Sequence, residues 1–219
     1  RGLGDVYKRQ NDMLAELSVK AFLDKTAGNE PVPGGGSISA LCAAIASALT
    51  EMVAGLTIGK KNYVDVEDEM KDIASRMAAL REEFIQCIDR DSDAYDKVFA
   101  AFKMPKETDE EKEARTQEIQ KATLVAAMVP MGVADLSVRM MDLIAVIAHK
   151  GNKNAVTDAC VAMMNARTAV LGALLNVRIN LLSLKDQSIV AELTAQSEEI
   201  EKDAIAKEQE LLTWVKTQL

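Results

Sequence analysis

Residues 73–98 read IASRMAALREEFIQCIDRDSDAYDKV, and within them Ile73, Met77, Leu80, Phe84, Cys87, Asp91, Ala94 and Val98 recur at alternating steps of four and three. That spacing returns to one side of an α-helix and leaves a heptad-like seam for a neighbouring helix. A half-buried strand would alternate strictly, and this stretch does not. One member of the seam is out of keeping with the others, because Asp91 stands where Phe84 and Val98 stand. A carboxylate there is costly unless something pairs with it. Asp91 is therefore either a structural group bonded to a neighbouring helix or one retained for chemistry. Asp89, Asp93 and Asp96 fall off the seam among Arg90 and Lys97 and read as a solvated face.

Outward from the seam, the same period organises the rest of the chain. The run that contains it extends from about Val64 to Phe102. Before it come a short helix from Asp12 to about Ala27 and a second from Ser37 to about Ile58, Ala-rich and apolar over most of its circumference, as central helices are. After it, Thr108 is an N-cap with acids in the first turn, opening a run to about Ala148. Pro130 is expected to kink that run or divide it in two. A fifth helix, from about Ala155 to Leu182, carries Asp158, Ala162, Asn165, Ala169, Gly172 and Asn176 on one small, polar stripe. Such a stripe either packs closely on a neighbour or lines something that needs hydrogen bonds and room. Asp135 and Asp142, seven apart, share a face and read as structural. The last helix, from about Lys185 to Thr217, is amphipathic and charged, with Trp214 as its anchor. No strand alternation, internal repeat or linker interrupts the pattern. The fold class is all-α: one domain, 11–219, folded as an antiparallel up-and-down bundle whose Ala-rich central helices suit a self-paired interface.

The stretch PVPGGGSISA, 31–40, opens the central helix. Pro31 and Pro33 stiffen the approach, while Gly34, Gly35 and Gly36 remove every Cβ that could keep a ligand from the backbone. Ser37 reads as the N-cap. A helix start of this kind gathers unpaired N–H groups and positive dipole and can hold a carboxylate or phosphate; an entry turn that binds nothing is the other reading. At the far end, Gly59 is placed to end the helix in the left-handed conformation. Lys60 and Lys61 follow, either offsetting the dipole or meeting an acidic ligand.

Composition narrows the function classes. Four prolines and 4% aromatics in 219 residues, set against abundant Ala, Leu, Met, Glu and Lys, favour helices over strands. A formal charge of -8 argues against nonspecific binding to nucleic acid or to an anionic membrane. Glu51 and several polar residues interrupt the most apolar segment short of the roughly 20 residues of a membrane span. Cys42, Cys87 and Cys160 are scattered without CxxC spacing and read as buried thiols in a reducing cytoplasm. His149 is the single histidine, so no His cluster can bind zinc and no metal is expected. The basic opening RGLGDVYKRQ, 1–10, has no helical period and reads as a non-native or disordered leader rather than a targeting signal.

Five segments together resemble the cyclodeaminase domain of formiminotransferase-cyclodeaminase and its stand-alone relatives, the methenyltetrahydrofolate cyclohydrolases. They are PGGGS at 33–37, LTIGKKNY at 56–63, DSDAYDKVFAAFKMPK at 91–106, GNKNAVTDA at 151–159 and NVRINL at 176–181. They span nearly the whole chain past residue 30 in the family's order. The resemblance implies an all-helical dimer acting on a one-carbon tetrahydrofolate, with no metal or redox cofactor beyond that substrate. It places Asp91, Ala94 and Tyr95 on the family's Asp-x-x-Ala-aromatic pattern. It also places Asp158 on a Ser-Asp pair, with Thr157 here in place of Ser, Asn152 on a Gly-Asn turn, and Asn176 and Asn180 on Asn-Val-x-Ile-Asn.

The implied reactions fit carboxylate chemistry. Cyclodeamination closes N10 of tetrahydrofolate onto the formimino carbon at N5 and expels ammonia; cyclohydrolysis adds water to the methenyl carbon and reopens the ring. Both ask for a proton acceptor that can return its proton, which a buried carboxylate of raised pKa provides. On this reading Asp91 or Asp158 transfers the proton while the other, with Asn152 and Asn176, orients the pterin or the one-carbon bridge, and Tyr95 is a further substrate-binding residue. Gly34, Gly35, Gly36 and Ser37 would contact the ligand, and Lys60 and Lys61 its glutamate tail. The competing class is a noncatalytic helical binding or scaffold protein, in which the glycines are a turn and Asp91 specifies helix pairing.

Overall fold

Six α-helices make up the computed structural model, which describes residues 13–219: α1 (Val19–Thr26), α2 (Gly35–Thr57), α3 (Glu67–Phe102), α4 (Asp109–Lys150), α5 (Val156–Leu181) and α6 (Gln187–Val215). No strand occurs among the described residues. The basic opening, 1–10, lies outside them. Helix α2 packs between α3 and α5, α4 lies against α3, α5 and α6, and α6 closes over α4 and α5. The α3 seam turns inward as its spacing predicts: Ile73, Met77, Phe84, Cys87 and Ala94 are buried, and Asp91 sits where the seam opens to a cleft.

The first helix is shorter than the pattern of apolar residues suggests. Ser18 caps α1 by accepting from the Ala21 N–H at 3.1 Å, and a separate 3-10 turn, Leu14–Glu16, precedes it. That turn is held by Asp89, whose carboxylate accepts from the Leu14 N–H at 2.7 Å and the Ala15 N–H at 3.2 Å. Asp89 is thus a tertiary cap rather than part of a solvated face. Its distant partners, more than seventy residues away, leave no local trace in the sequence.

Helix α4 runs from the expected N-cap at Thr108, which completes a capping box with Glu111, to Lys150 without dividing at Pro130. A proline in a helix interior removes one N–H and orphans the carbonyl four residues earlier. Here that carbonyl belongs to Ala126, and it accepts instead from Asn180 Nδ2 of α5 at 3.2 Å. The helix continues because a neighbouring side chain supplies the missing donor.

Small residues let α2 and α5 approach closely. Ala40, Ala43, Ala46 and Ala54 of α2 and Ala159, Ala162, Ala166, Ala169 and Ala173 of α5 are fully enclosed. A Cβ on Gly172 would come within 2.5 Å of Ser39 Oγ. Most of the small stripe on α5 is therefore a packing seam, and only Asn176, at its end, reaches a cleft. By length and composition, α2 and the stretch Lys153–Leu181 are apolar enough to cross a membrane, contrary to the expectation from Glu51; half of each apolar window is buried inside the bundle. Their outward halves expose Ile45, Met52 and Leu56 on α2 and Val161, Met164 and Leu175 on α5. Glu51, the acid within α2, is paired with Arg81 of α3 at 3.1 Å. At the other end of the chain, Trp214 of α6 stacks on His149 at the end of α4, ring centroids 4.0 Å apart.

Candidate active site

The start of α2 gathers one set of predicted residues. The loop from Pro31 to Gly34 leads into it, α3 contributes Asp91, Tyr95 and Val98, α4 contributes Ala126, and α5 contributes Asn176, Ile179 and Asn180. Together they line a cleft of 320 Å³, within the range of small-molecule sites.

The bare backbone at 34–36 makes room for the protein's own groups. A Cβ on Gly36 would stand 2.1 Å from Asp91 Oδ1, and one on Gly35 3.3 Å from Asn176 Nδ2. Gly36 thus lets the Asp91 carboxylate lie against the first turn of α2, where amide N–H groups lack helical partners. Gly34, not Ser37, is the N-cap. Ser37 is fully buried inside the helix and cannot touch a ligand. Its hydroxyl donates to Ile88 O at 2.7 Å, lies 3.1 Å from Ser92 Oγ and reaches Asp91 Oδ2 only at 3.5 Å. Ser37 therefore locks α2 to the turn of α3 that carries Asp91. Burial holds the Asp91 carboxyl above the ordinary carboxylate range; the Ser37 N–H and hydroxyl pull it down without overcoming that effect.

The two amides of α5 are oriented by their bonds. Asn176 Nδ2 donates to Gly172 O at 2.8 Å, and Asn180 Nδ2 donates to Asn176 O at 2.8 Å as well as to Ala126 O. Every partner is a carbonyl, so each NH2 faces backbone and each Oδ1 is left as an acceptor. Among the described residues no lysine or arginine lines the cleft. Apart from Tyr95, whose hydroxyl can donate or accept, and the second N–H of Asn176, its polar side chains offer a carboxylate and two amide oxygens as acceptors. Such a site suits a ligand that brings N–H groups or positive charge.

The remaining predicted residues lie elsewhere. Lys60 and Lys61 are exposed at the opposite end of α2, a helix of 23 residues and so about 34 Å long at 1.5 Å per residue. Gly59 there adopts the expected left-handed conformation, φ 76°. Asn152 joins the following loop to that end: its Nδ2 donates to Leu56 O, its N–H to Thr57 Oγ1, and its Oδ1 accepts from the Asn154 N–H. Asp158 is half-buried in the first turn of α5 and, along that helix, about 27 Å from Asn176. Within one chain, then, Asp158 does not share a cleft with Asp91, and the lysines are not near the glycines. A second groove, 340 Å³, between the Leu14–Glu16 turn, α1, α2 and α3 is apolar except for the paired Arg81 and offers no group for catalysis.

Asn180, singled out only by the family segment it shares with Asn176, and Ala126, to which the sequence gives no role, also line the cleft. Two local signals bear on them: Asn180 follows Asn176 by one helical turn, and Ala126 precedes Pro130 by four residues.

Fold and cleft define a class: an all-helical protein with one half-buried carboxylate set among amide and carbonyl acceptors. The family model for formiminotransferase-cyclodeaminase matches residues 18–199, and the chain belongs to that family. It is 36% identical over 207 residues to the methenyltetrahydrofolate cyclohydrolase of Methylorubrum extorquens, covering 94% of this chain and all of that protein. It is 31% identical over 173 residues to the formimidoyltransferase-cyclodeaminase of Rattus norvegicus, where the match covers 79% of this chain and 32% of that longer protein. The crystal structure of formiminotetrahydrofolate cyclodeaminase from Thermotoga maritima superposes with a TM-score of 0.81 at 32% identity, covering 90% of this chain and 94% of that one.

Proposed function

We propose that the protein is a folate-dependent one-carbon enzyme that cyclises 5-formimino-tetrahydrofolate to 5,10-methenyl-tetrahydrofolate, hydrolyses the methenyl compound to 10-formyl-tetrahydrofolate, or does both. The observation that carries this reading is the Asp91 carboxyl, half-buried in a cleft rich in acceptors that no cationic side chain lines among the described residues. The formiminium and methenyl groups are cations, so the cleft complements the charge of the reacting carbon. In cyclodeamination N10 bonds to the formimino carbon, Asp91 takes the N10 proton and returns it to the exocyclic nitrogen, and the C–N bond to that nitrogen breaks to release ammonia. In hydrolysis the same carboxylate takes a proton from water as the water oxygen bonds to the methenyl carbon, then gives that proton to N5 as the C–N5 bond breaks, and the remaining hydroxyl loses its proton to solvent to leave the 10-formyl group.

The test is optical. Methenyl-tetrahydrofolate absorbance should appear from the 5-formimino substrate or disappear by hydrolysis, and 5-formyl-tetrahydrofolate at ~100 Kd should add roughly 2.7 kcal/mol of stability. Neither turnover nor stabilisation would return the noncatalytic scaffold to first place.

The active form on this reading is a homodimer in which two copies complete each site. A monoglutamyl folate spans roughly 20 Å at ordinary bond lengths, less than the length of α2, so it cannot reach both the Asp91 cleft and Lys60–Lys61 of one chain. A two-fold axis crossing the outward apolar faces of α2 and α5 would set the Asp91 end of one copy beside the Lys60, Lys61 and Asp158 end of the other. Mixing Asp91→Asn and Asp158→Asn proteins, each inactive alone, should then restore about a quarter of full activity, since half the dimers are hybrids with one intact site. No recovery would show that the two carboxylates do not meet across subunits. Full turnover by Asp158→Asn would remove Asp158 from the site.

A further inference from the structure

We infer that Pro130 is a positioning residue for the folate cleft and acts through Asn180. The inference takes the cleft as the folate site described above. Pro130 is buried in the middle of α4, where no turn or helix end requires a proline. In place of the bond from residue 130, the Ala126 carbonyl accepts Asn180 Nδ2 at 3.2 Å. The second hydrogen of the same NH2 goes to Asn176 O at 2.8 Å. Both donors of Asn180 are then spent on backbone, one on α4 and one on α5. The amide plane is fixed between the two helices and Oδ1 is committed to the acceptor role. With an ordinary residue at 130, the Ala126 carbonyl would share itself between the residue 130 N–H and Asn180, and the Asn180 bond, at 3.2 Å already the longer of its two, would weaken. Asn180 would then hold one firm anchor instead of two and could turn its NH2 toward the cleft, replacing an acceptor by a donor where the ligand is cationic or N–H rich. The proline thus converts a helix defect into the second anchor of a ligand-facing amide.

A double-mutant cycle tests this in the full-length protein. Pro130→Ala removes a helix-breaking residue, so its Tm should equal or exceed that of the unsubstituted protein, while KM for the folate rises about tenfold and kcat changes less. Asn180→Ala should raise KM by a similar factor. The double variant should be no worse than Asn180→Ala, because both changes remove the same interaction. The Asn180 side-chain amide resonances should also shift in Pro130→Ala, a readout that needs no turnover. An unchanged KM with unshifted resonances would overturn the proposal, as would single effects that multiply in the double variant. Loss of turnover in the unsubstituted protein would instead refute the folate reading, and the resonances would still decide whether Pro130 holds Asn180.

Discussion

Asp91→Asn is expected to fold, to bind 5-formyl-tetrahydrofolate, and to lose about 10²- to 10⁴-fold in turnover, the range for removing a general acid/base. The isosteric amide keeps the shape of the cleft but can neither take the N10 proton nor return it. The same substitution should raise stability at neutral pH. Burial raises the Asp91 pKa, so the native state holds this proton more tightly than the unfolded chain does. The contribution to stability is therefore full below the ordinary carboxylate range and is lost as pH rises through the folded pKa. Asparagine does not titrate, so its advantage over the native residue should be largest at neutral pH and shrink on acidification. Denaturation across that interval, together with turnover, separates a carboxylate kept for chemistry from one kept for structure: a structural Asp91 would leave the variant less stable and turnover near normal.

The second large effect concerns a residue with no chemistry of its own. Gly36→Ala places a Cβ where Asp91 Oδ1 now lies, 2.1 Å from it and 2.4 Å from Cγ. Neither side can yield easily, because Ser37 ties this turn of α2 to Ile88 and Ser92 of α3. Overpacking of this kind costs roughly 1–3 kcal/mol, and displacing the carboxylate by about an ångström costs on the order of 10²-fold in rate. Gly132→Ala in α4 is the control, since nothing lies within 4 Å of its Cβ position. Relief of backbone entropy there should add about 0.5–1 kcal/mol. If Gly36→Ala matches Gly132→Ala in stability and turnover, the close approach of Asp91 to α2 is not what the glycine provides.

Much of this was legible in the residues themselves. The period of four and three gave the helices, and a charge out of place on an apolar seam gave Asp91. Asn176 was legible through its place on a small-residue stripe. What local pattern does not carry is which end of a long helix a neighbour reaches. Gly36 and Lys60 open and follow the same helix, so they look adjacent in the chain's logic while standing a full helix apart. Ser37 looked like a cap because the rule for a serine after glycines is local; its actual partners, Ile88 and Ser92, lie more than fifty residues on. Pro130 reads as a kink or a division for the same reason. The donor that spares α4 comes from Asn180, and no count along one helix reveals a bond to another.

The pairing of Trp214 with His149 joins the only tryptophan and the only histidine of the chain. Its consequence is spectroscopic: the ring against the indole sets the surroundings and so the emission of the single tryptophan, and the protein carries a built-in optical gauge of whether α6 is seated on α4. Refolding and thermal unfolding can each be followed through that single signal without attaching a label.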